Sequence, residues 1–188
     1  QAKYLDPLPA TRNALRSRQI IFWSEEQTKE IQIEGANLGK VVLKPEKVKV
    51  SSPQMVGETI EWRPQGFQER DYEKESATMF ARYLYSLMLR DSKSWLGVQP
   101  IDPKQYGLDP PMLSIKFVLE DGERTLLFGI RAEGVTDDYI MKKAWHDEYY
   151  WAPGDFVRLV KRMELNFRNP DLLNVPRDSV VEFWFENR

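Results

Sequence analysis

The sequence predicts an α+β fold, with mainly antiparallel sheets, one long helix at about 71–90 and a second, shorter helix at about 153–164. Three observations carry this prediction. Stretches that alternate apolar and polar residues come in groups, and only two stretches repeat at the helical period. Each group of strands ends at a helix, an order that differs from the alternation of βαβ units. Apolar residues make up 41% of the chain, which is enough for a sizeable core.

The first group of predicted strands precedes the long helix. The apolar stretch "RQIIFW" is followed by "KEIQIEG", which alternates at period two. We interpret "GKVVLKPEKVKVSS" as two strands around a Pro-Glu turn, "SPQMVGE" as a loop and "TIEWRP" as a strand that Pro64 ends. Four lysines at strand-like spacing, Lys40, Lys44, Lys47 and Lys49, indicate an edge strand protected by charge.

The predicted long helix begins at Asp71, a residue type suited to capping, and carries glutamates in its first turn. Its apolar residues recur at intervals of three and four: Tyr72, Ala77, Phe80, Leu84, Leu87 and Met88. The wide apolar face predicts that this helix lies across a sheet. We therefore interpret the aromatic residues Phe80, Tyr83 and Tyr85 as core rather than as a ligand site.

The strands after the long helix are predicted as two pairs. In "MLSIKFVLEDGERTLLFGI", two alternating runs flank Asp121-Gly122, a dipeptide typical of tight hairpin turns. "DDYIMKKAW" and "EYYWA" form a second pair that turns near His146-Asp147. Pro153 then opens the shorter helix, whose apolar face is expected to contain Phe156, Leu159, Val160 and Met163.

A Gly-Pro-containing segment, "YGLDPP", precedes the first of these hairpins and raises the question of a phosphate-binding loop. It has one glycine, its two prolines lack N–H donors, and no helical pattern follows. We interpret it as a structural turn that bends at Gly107, straightens through the prolines and leads into the strand from Met112. Tyr106 and Leu108 are expected to cover the edge of the sheet. The turn comprises Tyr106, Gly107, Leu108, Asp109, Pro110 and Pro111.

Two stretches that resemble each other suggest a repeat. Each of the stretches from Leu15 and from Phe167 has an arginine, an apolar pair, a polar turn and an alternating strand. We predict a linker or tail at 1–14, an α+β module at 15–166, and at 167–188 either the start of a second module or a closing strand. Two unrelated strands, each preceded by arginine, remain the alternative.

The order of these landmarks resembles the bacterial family called Domain of Unknown Function 4340. The matching segments span roughly residues 15 to 188: "EWRP", the helix from Asp71, "QYGLDPPMLSIKFVLEDGERTLLFGI", "DDYIMKK", "EYYWAPGDF" and "LNFRNPDLL". The specific part is "YGLDPP" together with the "DG" hairpin. Two departures are the absence of an anchor and a longer stretch at residues 40 to 58.

The resemblance implies an envelope protein with an N-terminal membrane anchor and repeated modules. Genes of this family commonly lie beside those of an ABC transporter of the gliding-motility-auxiliary type. The chain begins with Gln and has no run of 18 apolar residues, so membrane contact is expected only through an N-terminal anchor missing from it. The family has no established catalytic residues, so none are carried over.

Several classes of chemistry lack support in the sequence. There is no cysteine, which excludes disulfides and thiolate ligands, and no Walker A loop, GxSxG elbow or GxGxxG motif. The single histidine, His146, lies at a predicted turn without a second histidine for zinc, and Asp137-Asp138 lacks calcium-loop spacing. We predict neither a cofactor nor a metal. The formal charge of −2, with interspersed signs, predicts no nucleic-acid partner.

The leading prediction is therefore a non-enzymatic interaction or scaffold domain of a membrane-anchored, periplasmic or extracytoplasmic envelope protein. Its protein partners would be membrane transport components of an ABC-type system, as the resemblance implies. The alternative is a small-ligand or glycan binding module that uses exposed tryptophans, namely Trp23, Trp145 and Trp151. A third possibility is a hydrolase that uses scattered acids.

The C-terminal strand "VVEFWFEN" supplies the candidate interaction residues Phe183, Trp184 and Phe185. Phe183 and Phe185 share one face, and their burial would contribute about 3–6 kcal/mol. We expect deletion of residues 177–188 to lower stability or to change the association state, as measured by thermal unfolding and analytical ultracentrifugation. A truncated protein that keeps both properties would show that this strand is a dangling linker.

Overall fold

A computed structural model describes residues 17–35, 39–52, 55–66, 72–98, 101–131 and 137–162. These residues form one antiparallel sheet of eight strands in the order β3-β2-β1-β5-β6-β7-β8-β4. The elements are β1 Thr28–Gly35, β2 Gly39–Ser52, β3 Met55–Pro64, α1 Lys74–Tyr85, β4 Trp95–Gly97, β5 Leu113–Leu119, β6 Gly122–Arg131, β7 Tyr139–Lys143, β8 Tyr149–Ala152 and α2 Gly154–Lys161.

The predicted fold class is wrong, because the described protein is mostly β and has two short helices. The helix predicted at about 71–90 is α1, which has 12 residues. After α1 the chain becomes extended and pairs with residues 18–20: Leu89 N donates to Arg18 O at 2.8 Å, and Ile20 N donates to Leu87 O at 3.3 Å. Leu87 and Leu89 are both buried in this extended conformation. The helix therefore ends before the residues that pair with 18–20, although the apolar spacing alone is compatible with a longer helix.

The second strand is also longer than predicted, because Pro45 lies within β2 rather than in a turn. β1 pairs with β2 only as far as Leu43, whereas β3 pairs with β2 as far as Ser52. Proline is tolerated where a strand has a free side, since the missing N–H then breaks no ladder bond. The lysines after Leu43 therefore lie on a segment with one neighbouring strand, while the outermost strand is β3.

The two predicted strand pairs are present. β5 and β6 form a hairpin in which Leu119 pairs with Gly122, so the connecting residues are Glu120 and Asp121 rather than Asp121-Gly122. β7 and β8 pair around the connection that contains His146. The shorter helix, predicted at about 153–164, is α2, which begins directly after Pro153.

The two faces of the sheet are covered differently. Both helices and the buried residues Ile20 and Ile21 belong to the main core on one face, where Phe156 of α2 stacks on Phe128 of β6. The aromatic residues of α1 are core, as predicted: Phe80 is buried, and Tyr83 stacks on Phe156. On the other face, a smaller cluster contains Leu108, Ile140 and Tyr149, with Tyr106 and Trp151 packed against it.

The "YGLDPP" turn covers a face of the sheet rather than its edge. Ile130 N donates to Tyr106 O at 2.9 Å. A β-carbon on Gly129 would lie 2.0 Å from that same oxygen, so only glycine permits the approach. The segment does not straighten as predicted, because Leu108 and Pro111 form an antiparallel bridge. Leu108 is buried and packs this segment against the sheet.

Gly107 at this turn has a φ of 63°, and a β-carbon there would lie 3.1 Å from Ile130 Cγ2. We expect Gly107→Val to lower the free energy of unfolding by about 1–3 kcal/mol. The matched control is Gly57→Val in β3, where an added β-carbon would have no atom within 4 Å. Equal stability of the two variants in urea titrations would show that the turn at Gly107 is unconstrained.

Candidate functional site

A lysine occupies a core position at the end of β7. Lys143 is 8% exposed. Among the described residues its ammonium has neither a hydrogen bond nor an ion pair, and its neighbours are instead aromatic rings. Nζ lies 5.5 Å from the ring centroid of Tyr150, 5.6 Å from that of Phe22 and 5.9 Å from that of Trp145. We call these four residues the Lys143 cluster.

The alternation of β7 explains why this lysine faces the core. Neighbouring side chains of a strand point to opposite faces, so Lys143 shares its face with Met141, which is fully buried. Lys143 pairs with Leu126 of β6, another core residue. Lys142 points to the other face, where its ammonium lies 3.7 Å from Asp147 Oδ1. The Lys142 ammonium thus has a carboxylate beside it as well as the Tyr149 ring at 5.4 Å, whereas Lys143 has three rings and no ion pair among the described residues.

Two segments supply the aromatic rim of the cluster: Phe22 comes from the segment before β1, and Trp145 from the turn after β7. Phe22 is 64% exposed and Trp145 is 42% exposed. Trp23, which is partly buried, makes an edge-to-face contact with Trp145 at 6.0 Å and another with Phe117 at 5.2 Å. The rim thus consists of exposed rings supported from below by core aromatic residues.

Burial sets the electrostatics of the site. Burial among apolar groups lowers the pKa of Lys143 from its ordinary value, and the negative charge of Glu148 partly opposes this shift. Glu148 Oε2 accepts a hydrogen bond from the Tyr150 hydroxyl at 3.2 Å and lies 3.8 Å from His146 Nδ1. The cluster therefore combines an amine whose pKa is lowered by burial with aromatic side chains that are partly open to solvent.

The sequence located part of this site. Of the three tryptophans predicted for ligand binding, Trp23 and Trp145 meet at the rim, whereas Trp151 packs on the opposite face of the sheet. The candidate residues Phe183, Trp184 and Phe185 lie outside the described residues, as do the ranges 1–14 and 167–188. Lys143 was missed, although a lysine in the core register of "YIMKK" was the available signal.

The acidic residues considered for calcium are bound to arginines. Asp137 forms ion pairs with Arg131 and Arg158. The nearly buried Asp138 lies 3.1 Å from Arg90 Nε, and Arg90 also approaches Asp155 at 3.3 Å. Within the part of the chain that the structure describes, no group of three His, Cys, Asp or Glu residues is arranged to hold a metal ion.

Two open grooves of about 260 and 270 Å³ lie beside Arg82, both lined by Thr59 and Ile60 of β3. Arg82 Nη2 donates to Ile60 O at 3.1 Å, and Arg82 Nε lies 3.3 Å from Glu25 Oε1. Trp62 N donates to the Thr78 hydroxyl at 3.0 Å. Side chains of α1 thereby form hydrogen bonds with backbone groups on the outer side of β3. We therefore interpret this region as a structural contact that attaches α1 to β3.

Comparison with known proteins assigns no relative: no family model, no curated protein and no solved structure matches the chain. The resemblance to Domain of Unknown Function 4340 therefore stays a prediction. No helix among the described residues is long and apolar enough to cross a membrane.

We expect Lys143→Met to raise the free energy of unfolding at pH 7 by about 1–3 kcal/mol, because it puts an apolar side chain in place of a lysine that is 8% exposed and forms no hydrogen bond or ion pair with a described residue. Since the pKa of Lys143 is lowered from 10.5 in the folded protein, the unfolded chain binds more protons below that value. Stability of the parent then rises with pH toward 10.5, and the advantage of methionine shrinks.

Urea titrations at pH 7.0 and 9.5 measure this effect. Lys142→Met, on the other face and partly exposed, is the control and is expected to change stability by less than about 0.5 kcal/mol at both pH values. A parent and a Lys143→Met variant of equal stability at pH 7 would mean that the amine is solvated.

Proposed function

We propose that this chain is a non-enzymatic docking domain of a membrane-anchored bacterial envelope protein that assists an ABC-type transport system. The envelope location and the transport partner rest on the resemblance described above. The docking role rests on one observation: Phe22 and Trp145, two large aromatic side chains of the Lys143 cluster, are both exposed, and their ring centroids lie 5.6 and 5.9 Å from the same ammonium.

The arrangement of these rings suits a protein interface. Aromatic side chains are enriched at the energetic centres of interfaces, where they bury a large apolar area with few rotatable bonds. Trp145 is supported by Trp23, and Trp23 in turn by Phe117. Rings held in place before binding lose little conformational entropy when a partner covers them. The occupant that we propose is an apolar side-chain patch on a partner protein.

Among the described residues, β3 has no strand on its outer side, and this side offers a second surface to the same partner. β3 is the last strand of the sheet, and α1 side chains cover its backbone at Ile60 and Trp62. Residues 55–59 extend past these caps as a strand with β2 on one side. An extended partner segment can add to such an edge through backbone hydrogen bonds.

Glycan binding is the second candidate function, and the contact of Trp23 with Trp145 favours it. Sugar rings stack on tryptophan faces through their apolar C–H groups. The placement of Trp151 on the opposite face removes one of the three residues that this function was predicted to use.

The test uses the full-length gene product in its native membrane. We expect the parent protein to co-purify with the permease subunits of an ABC transporter, and the double variant Phe22→Ala, Trp145→Ala to lose at least about tenfold of this yield. Met79→Ala is the matched control, because Met79 is exposed but lies on α1.

Three results separate the alternatives. A double variant that retains the subunits at parental yield would contradict docking through these rings. Co-purification lost equally in Met79→Ala would indicate a general folding defect instead. Binding of oligosaccharides by the purified domain in calorimetry, abolished by Trp145→Ala, would support the glycan function.

A further inference from the structure

We propose that Lys143 is a covalent binding site for aldehydes, which it captures as imines, and that the rings beside it select aldehydes attached to planar aromatic groups. This inference concerns small-molecule chemistry at the amine and does not depend on the docking role. It begins from a mismatch: a side chain that normally carries a charge is buried at a core position among carbon atoms.

The surroundings of the amine favour its neutral form. Lys143 is 8% exposed, and no described residue accepts a hydrogen bond from its ammonium or forms an ion pair with it. Three ring faces at 5.5–5.9 Å offer weak attraction to a cation and no acceptor for its protons. Desolvation of this kind activates lysine as a nucleophile.

The charged groups on the elements around the amine come from β6 and from the residues just before β8. Glu148, next to β8, is the one whose charge acts on Lys143, and it is engaged by the Tyr150 hydroxyl and by His146. On β6, Arg124 lies two residues from Leu126, the partner of Lys143, and its guanidinium binds Asp121 at 3.0 Å. The segment before β1 contributes Phe22, an apolar ring. The amine therefore has one carboxylate, that of Glu148, whose charge partly opposes the effect of burial on its pKa. It has no direct counterion among the described residues.

The reaction is a balanced condensation. The lone pair of Nζ attacks the carbonyl carbon and forms a C–N bond. Both N–H protons of the neutral amine pass to the carbonyl oxygen, which leaves as water, and the C=N bond of the imine results. No oxidant or reductant is needed, and added water reverses the step. The adduct is thus a reversible covalent complex.

The rim explains the choice of ligand. Phe22 and Trp145 approach the amine from the solvent side, and much of each ring remains exposed. A planar aromatic group attached to the aldehyde can stack on these rings while the carbonyl carbon reaches Nζ. An aliphatic aldehyde of similar reactivity gains no such contact.

The experiment treats the folded protein with 4-hydroxybenzaldehyde and sodium cyanoborohydride at pH 7.5, and mass spectrometry of proteolytic peptides locates the reduced adducts. We expect the adduct at Lys143 to form at least about tenfold faster than at Lys93 and Lys104, two exposed lysines of the same chain.

Variants make the test specific. Lys143→Met removes the fast adduct, and Glu148→Gln accelerates it, because the charge that favours the ammonium is gone. Propionaldehyde is expected to give a smaller preference for Lys143 over Lys104 than the aromatic aldehyde gives. A rate at Lys143 equal to or below that of the exposed lysines, with parental circular dichroism, overturns the proposal, as does an unchanged rate in Glu148→Gln.

Discussion

The pairing of β1 with β5 is the contact on which the rest of the structure depends. These strands lie more than 75 residues apart in sequence, and their register places Ile31 opposite Phe117 and Ile33 opposite Ile115. It joins the N-terminal strands β3-β2-β1 to the C-terminal strands β5-β6-β7-β8 as one sheet. Because Ile31, Ile33, Ile115 and Phe117 are all fully buried, this pairing joins the apolar faces of the two halves into one core.

The candidate site is a product of that junction. Phe22 and Trp23 precede β1, whereas Lys143 and Trp145 belong to the end of β7 and its following turn. Trp23 belongs to the N-terminal half and contacts Phe117 of β5 and Trp145, which both belong to the C-terminal half. Its side chain therefore links the two halves of the chain. The short extended pairing of residues 18–20 with residues 87–89 fixes the segment that carries Phe22 and Trp23. Any change that loosens this pairing displaces one side of the rim.

A buried amine and exposed aromatic side chains both contribute unfavourably to the free energy of folding. Apolar replacements of buried, unpaired cations commonly stabilise proteins, and exposed aromatic rings gain nothing from water. Other charged residues of the described chain form ion pairs: Asp137 and Asp138 with arginines, and Arg82 of α1 with Glu25. The Lys143 cluster lacks such an ion pair among the described residues, and a local loss of stability of this kind is a pattern expected of a functional site. The docking and the imine formation that we propose are separate uses of this one arrangement.

The sequence by itself determined the strand pairs β5/β6 and β7/β8, the start of α2 after Pro153 and the core role of the α1 aromatics, because these follow from short-range periodicity and turn residues. It did not determine the length of α1, since Leu87 and Leu89 suit either a helix or an extended segment. The choice was made by residues 18–20, which are distant in sequence. The Lys143 cluster could likewise not be predicted from the sequence, although the position of Lys143 on β7 could. Its rings come from three separate segments, and only the sheet order brings them around one amine.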